Sequence, residues 1–182
     1  MARVPYLSRH DATPDTEAVW QRLETERKAP TANIFRILAH APALLDASLT
    51  YANALRNESQ LDAKLRELAI LTVGHTTHVE YEIAHHQAYA LTAGVTPEQL
   101  DTIATFETSD AFDERERAVM RLAHESTANV RVSDELWAEI HRYLGDKQLV
   151  ELVLNIGFYN SGVRIMTMLD IDLEAAYLKA RV

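Results

Sequence analysis

Helix start and stop signals recur along the chain, and no segment shows the apolar–polar alternation that a half-buried β-strand requires. Several capping residues stand directly before an apolar stretch of helical period. The clearest cases are Thr13-Pro14, Thr77-x-x-Glu80, Thr96-Pro97-x-Gln99, Asp113-x-x-Glu116 and Asp146. The sequence therefore predicts an all-α protein. One helix should begin at His78 and end at Gly94, and the longest should run from Asp146 to about Leu169.

Two short blocks of sequence recur at the same separation along the chain. Leu38-Ala39-His40 recurs as Leu122-Ala123-His124, and the block that begins at Asp62 recurs from Asp146, with Glu67 matched by Glu151. Two matches at one separation indicate a duplicated helical unit. We expect a helical bundle with this internal duplication, in which one copy carries the chemistry.

Composition limits the classes of function. The 182 residues suit one domain, which we place over residues 1–182 with a core motif at 61–94. A net charge of −9 argues against binding to nucleic acids or to an anionic membrane surface. The chain has no cysteine, which excludes disulfides and thiol catalysis. It shows no signal peptide or membrane span, so we expect a cytoplasmic protein.

The core motif concentrates ionisable residues on apolar helices. Glu67 precedes a cluster of histidines and glutamates in which Glu82 and His86 are one helical turn apart. His78 and His85 are predicted to share or adjoin their face. A carboxylate beside an imidazole sets its tautomer and raises its pKa, as a proton-transfer pair requires. We therefore predict an acid–base site at Glu67, Glu82 and His86; the alternative is a structural polar network.

Two further groups of residues are candidates for binding roles. His75, His78, Glu82 and His86 offer a plausible ligand set for zinc or iron, but we expect neither a metal nor another cofactor, because the helix break disturbs their geometry. Tyr159, Asn160 and Arg164 lie on the last long helix, where Arg164 can hold a carboxylate in a bidentate manner. The alternative for Arg164 is a buried ion pair with Glu67 or Glu151. The predicted substrate-binding residues are His78, His85, Tyr159, Asn160 and Arg164.

The core motif resembles the carboxymuconolactone decarboxylase and AhpD-like alkyl hydroperoxidase superfamily. The family signature is Glu, eleven residues, Cys-x-x-Cys, three residues and His. Counted from Glu67, the cysteine positions fall on Val79 and Glu82, and the histidine falls on His86. Several other segments resemble the cysteine-free branch of the family, and they follow the family order: VPYL, NIFRILAHAP, RELAILTVG, VEYEIAHH and LVELVLNIGFYNSGVR.

The resemblance implies an AhpD-like helical bundle that self-associates as a homodimer, homotrimer or homohexamer. It also implies that thiol peroxidase chemistry is lost, because both cysteine positions are changed. We predict a cofactor-independent lyase, decarboxylase or isomerase that acts on a small carboxylated or lactone-type intermediate of aromatic catabolism. His86 would be the acid–base residue, Glu67 and Glu82 its partners, and Arg164 the substrate anchor. The alternatives are a non-catalytic oligomeric scaffold or binding protein, and a peroxidase-like protein without activity.

Overall fold

The computed structural model describes residues 2–27 and 32–179, and this part of the chain contains helices but no β-strand. The prediction of an all-α protein is confirmed. The chain forms two compact units, one made of Met1–Ala54 with Ile165–Val182 and the other of Leu55–Arg164. The prediction of a single domain over residues 1–182 stays a prediction. No helix within the described residues is long and apolar enough to cross a bilayer.

The terminal unit is built from short helices around a small apolar core. It contains α1 (Pro14–Arg22), which continues into a π-helical turn (Leu23–Arg27), α2 (Asn33–Leu38), the first part of α3 (Pro42–Asn57), the end of α9 (Asp146–Leu169) and α10 (Ala175–Lys179). Its core includes Trp20, Leu23, Leu45 and Leu49, which are almost completely shielded from solvent. Asn33 Nδ2 donates to the carbonyl of Asp172 over 2.9 Å, which connects the two ends of the chain.

The second unit carries the predicted site. It contains α4 (Ala63–Thr77), α5 (Glu80–Thr92), α6 (Pro97–Thr102), α7 (Glu114–Asn129), α8 (Asp134–Ile140) and most of α9. Helix α4 lies at its centre, packed against α5 and α7, and is buried around most of its circumference. A helix that is apolar on every side belongs in a core. Glu67 lies within its buried part and is therefore removed from water.

The connection between α4 and α5 differs from the prediction. Helix α4 continues to Thr77, and α5 begins at Glu80, two residues later than expected. Thr77 does not cap α5, because its hydroxyl donates to the carbonyl of Val73 within α4 over 2.8 Å. His78 ends α4 in the left-handed conformation, with φ of 55°, and Val79 is the N-cap of α5. His78 therefore lies outside α5 and does not share a helical face with Glu82 and His86.

The predicted duplication is reflected at only one of its two blocks. Asp62 caps α4 and Asp146 begins α9, and Leu65 and Leu149 both enter the same apolar core. The other block lies at the end of α2 in one copy and inside α7 in the other. The duplication as a whole stays a prediction.

Candidate active site

A histidine lies between two buried carboxylates at the packing of α4 against α5. His86 Nδ1 lies 2.8 Å from Glu67 Oε2 in a buried hydrogen bond. On the other side of the ring, His86 Nε2 lies 3.0 Å from Glu82 Oε1. The exposed fractions of Glu67, Glu82 and His86 are 2%, 2% and 6%. The structure therefore brings the three predicted acid–base residues into one chain of contacts, which we call the Glu–His–Glu network.

Local sequence explains why the two helices approach so closely. The tight connection through His78 makes α4 and α5 consecutive neighbours in space. At Gly74, a Cβ atom would lie 3.0 Å from Ile83 Cγ1 and 3.6 Å from Glu82 Cβ. Glycine at this position thus allows the first turn of α5 to lie against α4. This approach removes the Glu82 side chain from solvent.

The two carboxylates have opposite pKa shifts. Desolvation is the largest influence on Glu67 and raises its pKa, but the His86 hydrogen bond and the charges of His86, Arg66 and Arg56 together bring it below the ordinary value. Desolvation raises the pKa of Glu82 above its ordinary value; the charges of His86 and His85 oppose this shift, and the charge of Glu67 adds to it. Glu82 Oε1 has no hydrogen-bond partner, so its 3.0 Å contact with His86 is not aligned as a hydrogen bond. The network therefore combines a carboxyl group that favours ionisation with one that favours its proton.

Two arginines and two tyrosines surround this network. Arg66 Nε lies 3.5 Å from Glu67 Oε1, while the Arg56 guanidinium lies 4.5 Å from the centre of the Tyr89 ring. The rings of Tyr89 and Tyr159 lie 5.6 Å and 4.9 Å from the His86 ring. Sequence reasoning missed Arg56 and Tyr89. The i, i+3 spacing from His86 could have indicated Tyr89, but no local pattern indicates Arg56.

Asn155 was also missed. It is 1% exposed, and neither its Oδ1 nor its Nδ2 atom has a hydrogen-bond partner. It lies one helical turn before Tyr159 on α9, so the two side chains leave the helix on the same side. Buried polar atoms are nearly always paired, and an unpaired amide calls for an explanation such as a ligand.

Neither predicted binding histidine belongs to the contacts of the Glu–His–Glu network, although the charge of His85 acts on Glu82. His78 is exposed at the left-handed end of α4. His85 is half-buried and stacks on Tyr81, with 4.3 Å between ring centres. Within residues 2–27 and 32–179, no group of three or more His, Cys, Asp or Glu residues is arranged to hold a metal ion. We assign neither histidine to the network.

The other predicted binding residues lie on different sides of α9. Tyr159 contacts His86, but Asn160 and Arg164 line a different pocket, whose lining contains none of the three network residues. The alternative of a buried ion pair for Arg164 is wrong. Arg164 is exposed and donates to its own helix at Asn160, while Glu151 accepts the backbone N–H groups of Gln60 and Leu61.

Residues 42–125 match the model of the carboxymuconolactone decarboxylase family, and this range contains the whole Glu–His–Glu network. The resemblance to the carboxymuconolactone decarboxylase and AhpD-like superfamily is confirmed over these residues. The chain has no cysteine, and Val79 and Glu82 stand at the positions where the family signature has thiols. A carboxyl group thus takes the place of the thiol nearest the histidine.

Solved structures share this fold. A cysteine-to-alanine variant of the debrominase Bmp8 in complex with 2,3,4-tribromopyrrole has a TM-score of 0.83 at 20% identity, covering 98% of this chain and 97% of that one. An uncharacterized peroxidase-related protein with an AhpD core from Ralstonia eutropha JMP134 has a TM-score of 0.81 at 20% identity, covering 97% and 94%. A peroxidase-related protein from Silicibacter sp. TM1040 has a TM-score of 0.79 at 18% identity, covering 97% and 95%.

The structural similarity establishes the AhpD-like helical fold. At such low sequence identity it shows nothing about the activity, because one fold supports many chemistries. No curated protein matches the sequence. The function must therefore be argued from the site itself.

Proposed function

We propose that this protein is a cofactor-independent acid–base enzyme that moves a proton on a small carboxylated or lactone-type molecule, by decarboxylation or isomerisation. One observation carries the proposal. Two buried carboxyl groups with opposite pKa shifts are bridged by a single imidazole. Paired titratable groups whose pKa values are pushed apart are typical of acid–base sites.

The geometry suggests a division of roles within the Glu–His–Glu network. Glu67 accepts the Nδ1–H proton of His86, which fixes the tautomer and leaves Nε2 directed towards Glu82. Both ring nitrogens of His86 thus face carboxyl groups. The sequence alone suggested His86 as the residue that exchanges a proton with the substrate, and we assign this role to Glu82 instead. After decarboxylation, His86 would take up a proton from solvent and pass it to Glu82, and Glu67 would stabilise the imidazolium.

In the decarboxylation branch, the bond between the substrate carbon and its carboxylate breaks and carbon dioxide leaves. The electron pair remains on the substrate as a dienolate, which Glu82 protonates at carbon. In the isomerisation branch, Glu82 first passes its proton to His86; its carboxylate then removes a proton from one carbon and returns it at a different carbon, and His86 gives the first proton back. Neither branch consumes an oxidant or a reductant, which agrees with a chain that has no thiol.

The substrate carboxylate needs a cation, and we assign that role to Arg56 instead of Arg164. Arg56 is half-buried and contacts Tyr89, which packs against His86. The guanidinium of Arg56 hydrogen-bonds to Tyr89 and acts electrostatically on Glu67, so it supplies positive charge beside the Glu–His–Glu network, and we assign to it the substrate carboxylate as a further partner. The buried amide of Asn155 is a candidate hydrogen-bond partner for the same substrate, because its atoms have no partner in the protein.

The experiment compares wild type, Glu82→Gln and Arg56→Gln on a panel of carboxylated muconolactones and unsaturated lactones in deuterium oxide. We expect carbon dioxide release or deuterium incorporation from wild type. Glu82→Gln should reduce turnover by about 100-fold or more, since general acid–base catalysis contributes roughly that factor. Arg56→Gln should mainly raise KM.

Glu116→Gln is the matched control. Glu116 is a buried carboxylate on α7 that pairs with Lys64 and Gln99, outside the Glu–His–Glu network. Wild-type turnover in Glu82→Gln would contradict the proposal. The alternative of a non-catalytic scaffold would be favoured by two results together. Wild type would show neither turnover nor deuterium exchange across the panel, and Glu82→Gln would differ from wild type only in being more stable.

A further inference from the structure

We propose that the second unit contains another binding site, for a small apolar molecule that carries one carboxylate. The site is a pocket of about 650 Å³ between α7, α8 and α9, which we call the α7–α9 pocket. It does not depend on the acid–base function proposed above, because none of the residues of the Glu–His–Glu network lines it.

The size and walls of the α7–α9 pocket suit a small organic ligand. Ligand sites usually occupy about 300–1,000 Å³ and combine apolar walls with a few convergent polar groups. Here the apolar wall includes Leu122, Val132, Trp137, Val153 and Ile156. The polar residues of the lining are Ser126, Asn160, Ser161 and Arg164.

Arg164 supplies the charge that selects an anion. Its Nη1 atom donates to the backbone carbonyl of Asn160 over 2.7 Å and to Asn160 Oδ1 over 2.6 Å. Asn160 is itself held by a hydrogen bond from its Nδ2 atom to Thr127 Oγ1 over 2.8 Å. These contacts orient the guanidinium but do not neutralise it. No carboxylate of the described residues pairs with Arg164, and no acidic side chain lines the pocket.

A strained residue lies at the edge of the α7–α9 pocket. Val130 ends α7 with φ of 64°, a conformation that β-branched residues rarely adopt, and its side chain is 83% exposed. Strained backbone persists where the surrounding structure holds it, and it is often found beside ligand sites. Val130 lines the pocket, where a bound ligand would shield its apolar side chain from water.

Helix geometry separates this pocket from the acid–base site. The pocket residues of α9 follow the spacing of a single helical face, from Val153 through Gly157 to Arg164. Tyr159 contacts His86 and lies about 100° around the helix from Asn160, on the side away from that face. A ligand beside Arg164 therefore binds on a different side of α9 from the reacting groups.

Gly157 provides a direct test. A Cβ atom at this position meets no other atom within 4 Å, although the residue lines the pocket. A side chain at this exposed position can therefore start without a steric clash, and a leucine adds bulk at the wall of the pocket. The substitution also replaces a glycine inside a helix, which favours folding. Gly157→Leu thus fills the pocket without weakening the fold.

The experiment measures binding of naphthalene-2-carboxylate and of its neutral amide by calorimetry on the full chain. We expect one carboxylate per chain, bound about tenfold more tightly than the amide because it forms a charge-assisted hydrogen bond with Arg164. Arg164→Gln should remove the preference for the acid over the amide, and Gly157→Leu should remove binding of both. Arg142→Gln, which deletes an exposed cation on another segment, should leave both affinities unchanged.

Several results would overturn the proposal. Equal affinities for acid and amide would show that Arg164 does not select the ligand. Unchanged binding in Gly157→Leu would place the ligand elsewhere. In a further outcome, wild type binds neither compound and Gly157→Leu has a lower light-scattering mass than wild type. This result would show that a second copy of the chain covers the pocket. These measurements need no turnover, so they are independent of the acid–base proposal.

Discussion

Replacing Glu82 with glutamine tests the central electrostatic claim about the site. The amide has nearly the shape of the carboxyl group, so Glu82→Gln preserves packing on α5 but removes the titration. Burial raises the pKa of Glu82, and its Oε1 atom receives no hydrogen bond that would stabilise a negative charge. The folded protein should therefore hold a proton on Glu82 at pH values where the unfolded chain has released it.

The expected effect follows from proton linkage. Above the unfolded pKa of about 4.5, the unfolded chain binds fewer protons at this position than the folded protein, so the free energy of unfolding falls as pH rises. One proton corresponds to at most about 1.4 kcal/mol per pH unit. Over two pH units, wild type should lose up to about 2.7 kcal/mol relative to Glu82→Gln, whose amide does not titrate.

The assay is urea unfolding of both proteins, followed by circular dichroism at several values between about pH 5.5 and about pH 7.5. Glu116→Gln is the control, because its carboxylate accepts hydrogen bonds from Gln99 Nε2 and from the backbone N–H of Asp113. Loss of these bonds should destabilise that variant. If the free energy of unfolding of wild type does not fall relative to that of Glu82→Gln as pH rises, Glu82 is ionised in the folded state and cannot be the proton donor.

Four further outcomes are expected. Glu67→Gln should lower the free energy of unfolding near neutral pH by about 1.5–3 kcal/mol, because His86 loses a charged partner. The loss should disappear as pH falls below about 4.5, since the pKa of Glu67 is lowered in the folded state; a loss that persists in acid would refute this sign. Asn155→Leu should raise the melting temperature, because two buried unpaired polar atoms are removed; a strong decrease in calorimetry would show that the amide has a partner. Light scattering should give a multiple of the 20.5 kDa chain mass, since Leu91 on α5 and Val150 on α9 expose apolar surface; a monomer at micromolar concentration would contradict this. Peroxide consumption with a dithiol reductant should not exceed the rate without protein, because the chain has no cysteine; turnover above it would be evidence against this expectation.

The sequence predicted that Glu67, Glu82 and His86 lie together, and the structure brings them into contact for a local reason. Glu67 and His86 lie on consecutive helices, so a short connection is sufficient to bring them together whatever the rest of the chain does. The exact position of that connection was wrong, because Thr77 hydrogen-bonds back into α4 instead of capping α5. This moved His78 out of the helix and removed it from the predicted face.

The sequence by itself determined the all-α class, the positions of most helices and the pairing of Glu67 with His86, because these depend on helical period, caps and neighbours along the chain. Only the tertiary structure decided which groups are desolvated and which distant side chains meet them. Burial of Glu82 depends on the close approach at Gly74, and the presence of Arg56 depends on where α3 ends. The rotation of α9 about its axis places Tyr159 beside His86 and directs Arg164 to another pocket, because adjacent residues on a helix face different directions.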